Sequence, residues 1–413
     1  MPRQHGAGGV ERPSLRGVAA ALTSLAALAA MSLVAGPAVA ATGDAGPCAL
    51  PRTAAHHSLG LDNWNGSYPR PDRTLDAVMI FLSFPGSEPA LTPEVLSADY
   101  FPATTRFFQR ASYGKFTLRP HPRQRWTRMP HPAGWYGIER DWDSGRRTAY
   151  LRDAIEAADS EVDFSTYDIV YLVADPDAPG VDSDATKVVN FDRPLRADGT
   201  DIRRVVTVFE QHPPDRNVLA HETGHVFDLA DLYHRPTDGK GDWDTYVGDW
   251  DVMGSQFGLA PDLFGWHKWK LGWLDGRQVV CVQGEADLTL EPVSTAPVPG
   301  GSIGTRLAVV RTGEDSALAI EARSATGNDR ATCSEGVLIY RIRNGTPSGG
   351  GPVEVIDTHP DTQSCWDRSV YPPLADAPLG VGETFTVPGE RTRVEVADRT
   401  PSGSWTVRVT TGT

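Results

Sequence analysis

The chain has few cysteines and little basic charge, and each shortage excludes a class of protein. It contains 4 cysteines in 413 residues, and none of them forms a Cys-x-x-Cys pair, which excludes zinc knuckles and thioredoxin-like redox sites. Its 39 basic residues stand against 53 acidic ones, giving a formal net charge of −14. An acidic surface of this kind does not favour nucleic acid or an anionic membrane as a partner.

Long apolar runs are absent after residue 40, but one lies before it. Three arginines precede the Ala/Leu-rich stretch 17–35, and residues 38–40 have the small-x-small pattern of a cleavage site. We therefore predict a signal peptide over residues 1–40, cut before Ala41. An uncleaved membrane anchor is the alternative, but the Gly-Pro pair that ends the run favours a signal peptide. We expect a secreted, extracellular monomer without a membrane span.

The even number of cysteines in an exported chain predicts two structural disulfides. Four cysteines allow three connectivities. We favour Cys333–Cys365 as a local bridge and Cys48–Cys281 as a tie between the N-terminal segment and the C-terminal part of the chain.

The sequence divides into an N-terminal segment and two globular parts. Residues 41–75 are rich in Pro, Gly and Asn, and we interpret them as an extension or the remnant of a pro-segment. Residues 76–276 alternate strand-like and helix-like runs, from which we predict an α+β fold. In residues 277–413 short strand-like runs recur between Gly, Pro, Ser and Asp, which is typical of an antiparallel β-sandwich.

Local patterns predict several elements in the first globular part. The apolar runs 77–82, 167–173 and 205–209 predict buried strands. Thr92 is a plausible helix N-cap, and Pro102 interrupts the helical pattern that follows it.

The most informative stretch is His221-Glu222-Thr223-Gly224-His225, within the largely apolar run 218–227. Two histidines four residues apart project from one face of a helix, so each can offer a ring nitrogen to the same Zn²⁺. Glu222 lies one step round the helix, where a carboxylate can deprotonate a metal-bound water without binding the metal. A surface helix with two histidines is the competing interpretation. The apolar flanks favour the zinc site, because buried polar side chains need partners.

A catalytic zinc site usually has three protein ligands and one open position. Three downstream residues are candidates for the third ligand, namely Asp231, Asp228 and His234. Asp228 would stay on the histidine face if the helix continued, because it lies three residues beyond His225.

An acidic loop follows, with Asp242, Asp244, Asp249 and Asp251 among Gly and Trp residues. A solvated loop is the simplest interpretation. The functional ones are a structural Ca²⁺ site, or carboxylates that orient the zinc-binding imidazoles. The spacing is not that of an EF-hand. Catalytic Zn²⁺ is therefore the main cofactor prediction, and structural Ca²⁺ is a secondary one.

Several short segments occur in a specific order along the chain. They are residues 111–116 (ASYGKF), the zinc motif with Asp231-Leu232-Tyr233, residues 250–253 (WDVM), residues 266–273 (WHKWKLGW) and, more weakly, residues 336–341 (GVLIYR). In this order they resemble the immune-inhibitor-A-like secreted metallopeptidases. The resemblance extends over most of residues 76–345.

The resemblance implies a metzincin-like zinc peptidase domain over residues 76–276, with a methionine turn beneath the metal. It also implies His221, His225 and Asp231 as the zinc ligands, which is the set we prefer. The chain departs from the family at Asp228, where the family has a glycine for the turn after the helix. Aspartate is among the few other residues that enter left-handed backbone space.

The function that follows is a zinc metalloendopeptidase, which hydrolyses peptide bonds of extracellular proteins with Glu222 as general base. An exported binding or adhesion protein with a degenerate peptidase domain is the alternative, and the intact Glu222 speaks against it. A zinc hydrolase of another type would take a distant carboxylate as third ligand. No glutamate follows Glu222 until Glu285, beyond the expected end of the domain.

Overall fold

The structure is a computed structural model that describes residues 46–298, 300–301 and 303–412. The expected signal peptide over residues 1–40 and its cleavage point before Ala41 lie outside the described residues. Residues 45–413 form one compact unit. The domain boundaries expected at residues 75 and 276 stay predictions.

Helices occur mainly in the first half of the described chain. They are α1 (Pro93–Tyr100), α2 (Ala103–Ala111), α3 (Ala133–Tyr136), α4 (Ser144–Ala158), α5 (Val218–Val226) and α6 (Gly265–Lys270). The strands before α5 are β1 (Thr74–Ser83), β2 (Thr117–Arg128), β3 (Ile169–Ala174), β4 (Lys187–Ala197) and β5 (Thr200–Val208). The strands after α6 are β6 (Val279–Cys281), β7 (Glu285–Leu290), β8 (Leu307–Arg311), β9 (Ser316–Arg323), β10 (Gly336–Arg343), β11 (Val353–Val355), β12 (Thr384–Thr386), β13 (Thr392–Arg399) and β14 (Trp405–Thr411).

The first half is built on a five-stranded sheet in the order β2-β1-β3-β5-β4. The first four of these strands are parallel, and β4 pairs antiparallel with β5 at the edge. Strands β1 and β3 are buried almost throughout, which explains their continuous apolar runs. The strands predicted at 77–82, 167–173 and 205–209 are confirmed by β1, β3 and β5, although residues 167–168 and 209 lie just outside the observed strands. Strand β4 has no counterpart among the predicted strands.

Helices cover this sheet on both faces. Alternate residues of β1 point to opposite faces, so one strand contributes to two cores. Phe81 lies in the core that includes α2 and α5, and Ile80 lies in the core that includes α3 and α4. Helix α5, which carries the two histidines, is therefore on the α2 side of the sheet.

The second half contains two further sheets, ordered β11-β10-β9-β8-β6 and β12-β13-β14-β7. Their pairings are antiparallel except that of β6 with β8. Buried residues of both sheets belong to one hydrophobic core, among them Ile320 of β9 and Val407 of β14. The described chain is thus a mixed α+β structure, as expected. The sandwich stays a prediction, which this shared core favours.

Both expected disulfides are confirmed. Cys48 pairs with Cys281 and so joins the N-terminal segment to β6, and Cys333 pairs with Cys365. None of the helices in the described part of the chain is both long enough and apolar enough to span a bilayer.

Residues 46–73, which we call the N-terminal strap, are anchored by the tryptophan-rich segment 266–273. Trp266 donates its indole N–H to Leu59 O at 2.9 Å, and Trp273 donates to Pro71 O at 2.7 Å. Both indoles are almost fully buried. The tryptophans thus have a structural role, which is to hold the strap against the body of the molecule.

Candidate metal centre

Helix α5 carries both His221 and His225 on one face. All of its residues are buried, and its apolar side chains pack in the core shared with α2. One helical turn separates His221 from His225. Their ring centroids lie 4.9 Å apart, with the ring planes at 89°. The two imidazoles are therefore close neighbours, as their spacing predicts.

The chain turns sharply after α5 and returns to the histidines. Asp228 has a φ of 63°, in the left-handed region, so an aspartate makes this turn, as residues of this type can. After this turn Asp231 Oδ1 lies 3.2 Å from His221 Nε2 and 3.0 Å from His225 Nε2. The turn thus delivers a carboxylate to the face that carries both imidazoles.

The possible ligand atoms of His221, His225 and Asp231 all lie within 4.8 Å of one another. Within the described ranges, no other group of three or more His, Cys, Asp or Glu side chains has such spacing. The structure therefore brings the preferred ligand set together, and its role in binding metal stays a prediction.

Backbone carbonyls orient both imidazoles. His221 Nδ1 donates to Val252 O at 2.8 Å, and His225 Nδ1 donates to Leu229 O at 2.8 Å. In a neutral ring protonated at Nδ1, the lone pair is on Nε2, the atom that faces Asp231. Hydrogen bonds of this kind fix the tautomer of metal-binding histidines, so the arrangement suits a metal ion.

Asp231 is held by a residue far away in the sequence. Ser348, in the loop between β10 and β11, donates its hydroxyl to Asp231 Oδ2 at 2.9 Å and accepts the Asp231 backbone N–H at 2.8 Å. The neighbouring Gly349 N–H donates to Asp231 O at 3.1 Å. No motif marks Ser348, which lies 117 residues beyond Asp231, and sequence reasoning missed it.

His221, His225 and Asp231 shift one another's pKa values. Burial alone would lower the pKa of His221, but the hydrogen bond with Asp231 and the nearby charges of Glu222 and Asp231 together raise that pKa above its ordinary value. Burial acts in the same direction on His225, and the Asp231 carboxylate raises the pKa of His225 to about 9. Burial would raise the pKa of Asp231, yet the two imidazoles hold it well below its usual range. An ionised carboxylate at this position requires positive charge beside it.

One carboxylate oxygen of the site has no partner. Glu222 Oε2 is buried without a hydrogen bond, and the side chain lines the cavity next to His221. Burial is the main reason that the pKa of Glu222 is raised above its ordinary value. An unpartnered buried oxygen is costly in a structural role and is typical of a group that acts on a ligand.

Two cavities of about 590 and 250 Å³ open onto the site. His221, Glu222 and Tyr233 line both of them. Burial, and then the nearby carboxylates of Asp231 and Glu222, raise the pKa of Tyr233, so its phenol keeps its proton. Tyr233 thus lines the cleft as a protonated phenol that hydrogen-bonds with Asp231.

Met253 lies against α5 between the two histidines. A Cβ on Gly224 would come within 2.3 Å of the Met253 sulfur, so a larger residue there would force the methionine side chain to shift. Asp251 holds the turn around the methionine, because its carboxylate accepts the backbone N–H groups of Met253 and Phe264, each at 2.8 Å. This placement agrees with a methionine turn beneath the proposed metal.

The two rival ligands face other groups. The Asp228 carboxylate lies 2.7 Å from Arg52 Nη1, 3.1 Å from His57 Nδ1 and 3.4 Å from Lys270 Nζ. Burial would raise the pKa of Asp228, but these three partners hold it well below its ordinary value. His234 packs against a tyrosine ring and is not part of the three-residue group.

Two aspartates of the acidic loop are engaged by backbone groups. The Asp249 carboxylate accepts the N–H groups of Leu259 and Val370 and the hydroxyl of Ser369. Asp251 is engaged in the methionine turn. Structural Ca²⁺ stays a prediction, and these contacts do not favour it.

No protein-family model matches the chain, and no curated protein matches it. Among solved structures, the chain is similar to wild-type OgpA from Akkermansia muciniphila in two crystal forms. The identities are 11% and 12%, the alignments cover 72% of this chain and 94% and 95% of OgpA, and the TM-score is 0.28 in both cases. Such a low TM-score supports no inference about fold or function. The resemblance to the immune-inhibitor-A-like family stays a prediction.

Proposed function

We propose that this protein is a secreted zinc-dependent endopeptidase of the metzincin-like, immune-inhibitor-A-like type, which hydrolyses peptide bonds of extracellular proteins. One observation carries the proposal. Two imidazoles on α5 and Asp231 converge beside Glu222, a buried carboxylate with an unpartnered oxygen. His221, His225 and Asp231 are the proposed ligands, and Glu222 is the proposed general base.

The donor set fits Zn²⁺. Two imidazole nitrogens and a carboxylate oxygen are donors that zinc accepts in catalytic sites with three protein ligands. When bound, the ion would lower the pKa of a water molecule toward about 7 and polarise a substrate carbonyl. The Nδ1 hydrogen bonds of both histidines support this assignment, because they turn Nε2 toward the shared centre.

The remaining roles fall to side chains of the cleft. Glu222 Oε2 has no competing partner, so it is available to accept a proton from the attacking water and to pass that proton to the leaving amine. Tyr233, a protonated phenol that lines the same cavities and hydrogen-bonds with Asp231, is the proposed donor to substrate if its proton turns from Asp231 toward the cleft.

An extended peptide would find a docking edge beside the centre. Strand β4 is the edge strand of the first sheet, and Lys187, Val188 and Asn190 line the smaller cavity together with His221 and Glu222. A strand edge offers backbone N–H and C=O groups to a chain that lies along it. This feature supports cleavage within a polypeptide.

The test compares wild type, Glu222→Gln and His221→Ala in digestion of casein, with zinc content measured on the same preparations. Wild type should contain stoichiometric zinc and lose activity in a chelator until zinc is restored. Glu222→Gln should keep the metal while turnover falls by about 10²–10⁴-fold, because only the base is removed. His221→Ala should lose metal and activity together.

Full activity of wild type in a chelator, or full turnover by Glu222→Gln, would refute the proposal. Stoichiometric zinc with no hydrolysis of casein or of a peptide library would instead favour the exported binding or adhesion protein with a degenerate peptidase domain.

A further inference from the structure

A cavity outside the metal centre is lined by arginines. It has a volume of about 310 Å³ and lies between α2, the residues just before α5 and the loop between β9 and β10. Its charged lining residues are Arg106, Arg110, Arg216 and Arg330. Among the described residues no carboxylate lines it, although the chain has 53 acidic and only 39 basic residues. The local charge is therefore opposite to that of the whole protein.

Three of these guanidinium groups have no hydrogen-bond or ion-pair partner among the described residues. Arg216 is engaged, since it donates to the backbone carbonyls of Phe257 and Gly258. In the part of the chain that the structure describes, the side chains of Arg106, Arg110 and Arg330 make no hydrogen bond or ion pair. Arg106 and Arg110 lie one turn apart on α2 and so share a helix face.

Two of the carboxylates close in sequence to the cavity are committed to other cations. Asp329, which precedes Arg330, lies 2.9 Å from Arg323 Nη2, and Asp262 lies 2.8 Å from Lys268 Nζ. Both carboxylates are buried in these pairs. The arginines thus line one cavity without a carboxylate among its described lining residues, and their combined positive charge favours an anion there.

We propose that this cavity binds a phosphate or sulfate ester group. A guanidinium presents paired N–H donors in a fixed plane that matches the oxygens of such groups, and several arginines around one cavity suit a multivalent oxyanion. The volume is at the lower end of the range for small-molecule sites, with room for the oxyanion and part of its carrier. The inference goes beyond the proposed peptidase function and does not depend on it.

The site adjoins the metal centre. Arg216 and Asn217 line the arginine cavity and immediately precede α5, while their neighbours Asp215 and Val218 line the larger cavity beside Glu222. A ligand held by the arginines would therefore lie next to the cleft and separated from it by this short segment.

The test is calorimetric titration with inorganic phosphate at low ionic strength. The cavity variant is Arg106→Gln with Arg330→Gln. The matched control is Arg125→Gln with Arg203→Gln, which removes the same charge from exposed arginines outside the cavity. Wild type and control should bind phosphate saturably, and the cavity variant should bind at least about tenfold more weakly, because charge-assisted hydrogen bonds are lost. Sulfate should compete with phosphate.

The four exchanged arginines are exposed, so the folds should survive, and equal melting temperatures would confirm it. Phosphate that binds at the metal centre would bind wild type and both double variants equally. It would therefore not produce weaker binding in the cavity variant alone. Absence of saturable binding by wild type, or equal affinity of both double variants, would overturn the proposal. A phosphoserine peptide and a sulfated monosaccharide, titrated in the same way, identify the carrier by which of them binds more tightly than the free ion.

Discussion

Individual residues around the candidate metal centre are held by several neighbours at once. Gly224 leaves room for the Met253 sulfur, while the histidines beside it on α5 are fixed through Nδ1 by backbone carbonyls. Asp244 lines the larger cavity, and burial and nearby carboxylates disfavour the charged form of its side chain. Its response to pH is therefore open to measurement.

Replacement of Asp244 by asparagine should stabilise the protein at neutral pH. Burial, and then the neighbouring Asp242, raise the pKa of Asp244 to about 6. The folded state thus holds an extra proton between the ordinary pKa of about 4 and about 6, so stability falls as pH rises through this window. Asp244→Asn should gain about 1–3 kcal/mol at pH 7.5, after allowance for partial exposure, and little at pH 3.5. Thermal unfolding at the two pH values provides the measurement.

Asp242→Asn is the companion variant, because it removes a repelling charge and should give a smaller gain of the same sign. A loss of stability in Asp244→Asn at pH 7.5 would contradict the argument. Wild type that is stabilised by millimolar calcium only while Asp244 is present would show that the loop holds a cation after all.

The turn after α5 depends on a buried charge cluster as well as on backbone geometry. Asn has the same size as Asp and also tolerates a left-handed backbone conformation. Asp228→Asn therefore removes only the negative charge, and it leaves the buried Lys270 and the neighbouring Arg52 without a carboxylate between them. Removal of one partner from a buried pair costs about 3–5 kcal/mol, so the melting temperature should fall and zinc affinity should fall with it. Asp201→Asn, which breaks surface pairs with Arg196 and Arg203, should cost less than about 1 kcal/mol.

Equal stability of Asp228→Asn and Asp201→Asn would show that the cluster does not hold the turn. Restored stability in Asp228→Asn with Lys270→Met would support the charge argument, since the unpaired ammonium is then absent.

The elements that could be predicted are those with a local cause. Strands β1 and β3 are apolar because both of their faces are buried, and Pro102 separates α1 from α2 as its missing N–H requires. Strand β4 was missed because it is an edge strand with polar residues and a proline within it, and both features argue against a strand when the sheet is unknown.

The residues of the candidate site also fall into those that the sequence could predict and those that it could not. The spacing of His221 and His225 alone places two imidazoles on one helix face, so the sequence is sufficient for them. Ser348 and the strap residue His57, whose ring stacks on His225 with centroids 5.4 Å apart, reach the site only through the tertiary fold. No local pattern could have indicated these contacts.

Across the whole molecule, the two disulfides should differ in their contribution to stability. Cys48–Cys281 closes 233 residues of chain and Cys333–Cys365 closes 32. In the chain-entropy description the longer loop restricts the unfolded state more, by about 2 kcal/mol. Cys48→Ala with Cys281→Ala should therefore lower the melting temperature more than Cys333→Ala with Cys365→Ala. The reverse order would mean that native contacts, rather than loop length, decide the effect.

Ser348, which hydrogen-bonds to Asp231, belongs to the loop between β10 and β11 in the second half of the chain. An evolutionary exchange of that half for an unrelated module would thus remove a hydroxyl from a centre whose motif lies entirely in the other half. Proteins that descend from this chain are therefore expected to inherit both halves together, although the first half alone carries His221, Glu222, His225 and Asp231.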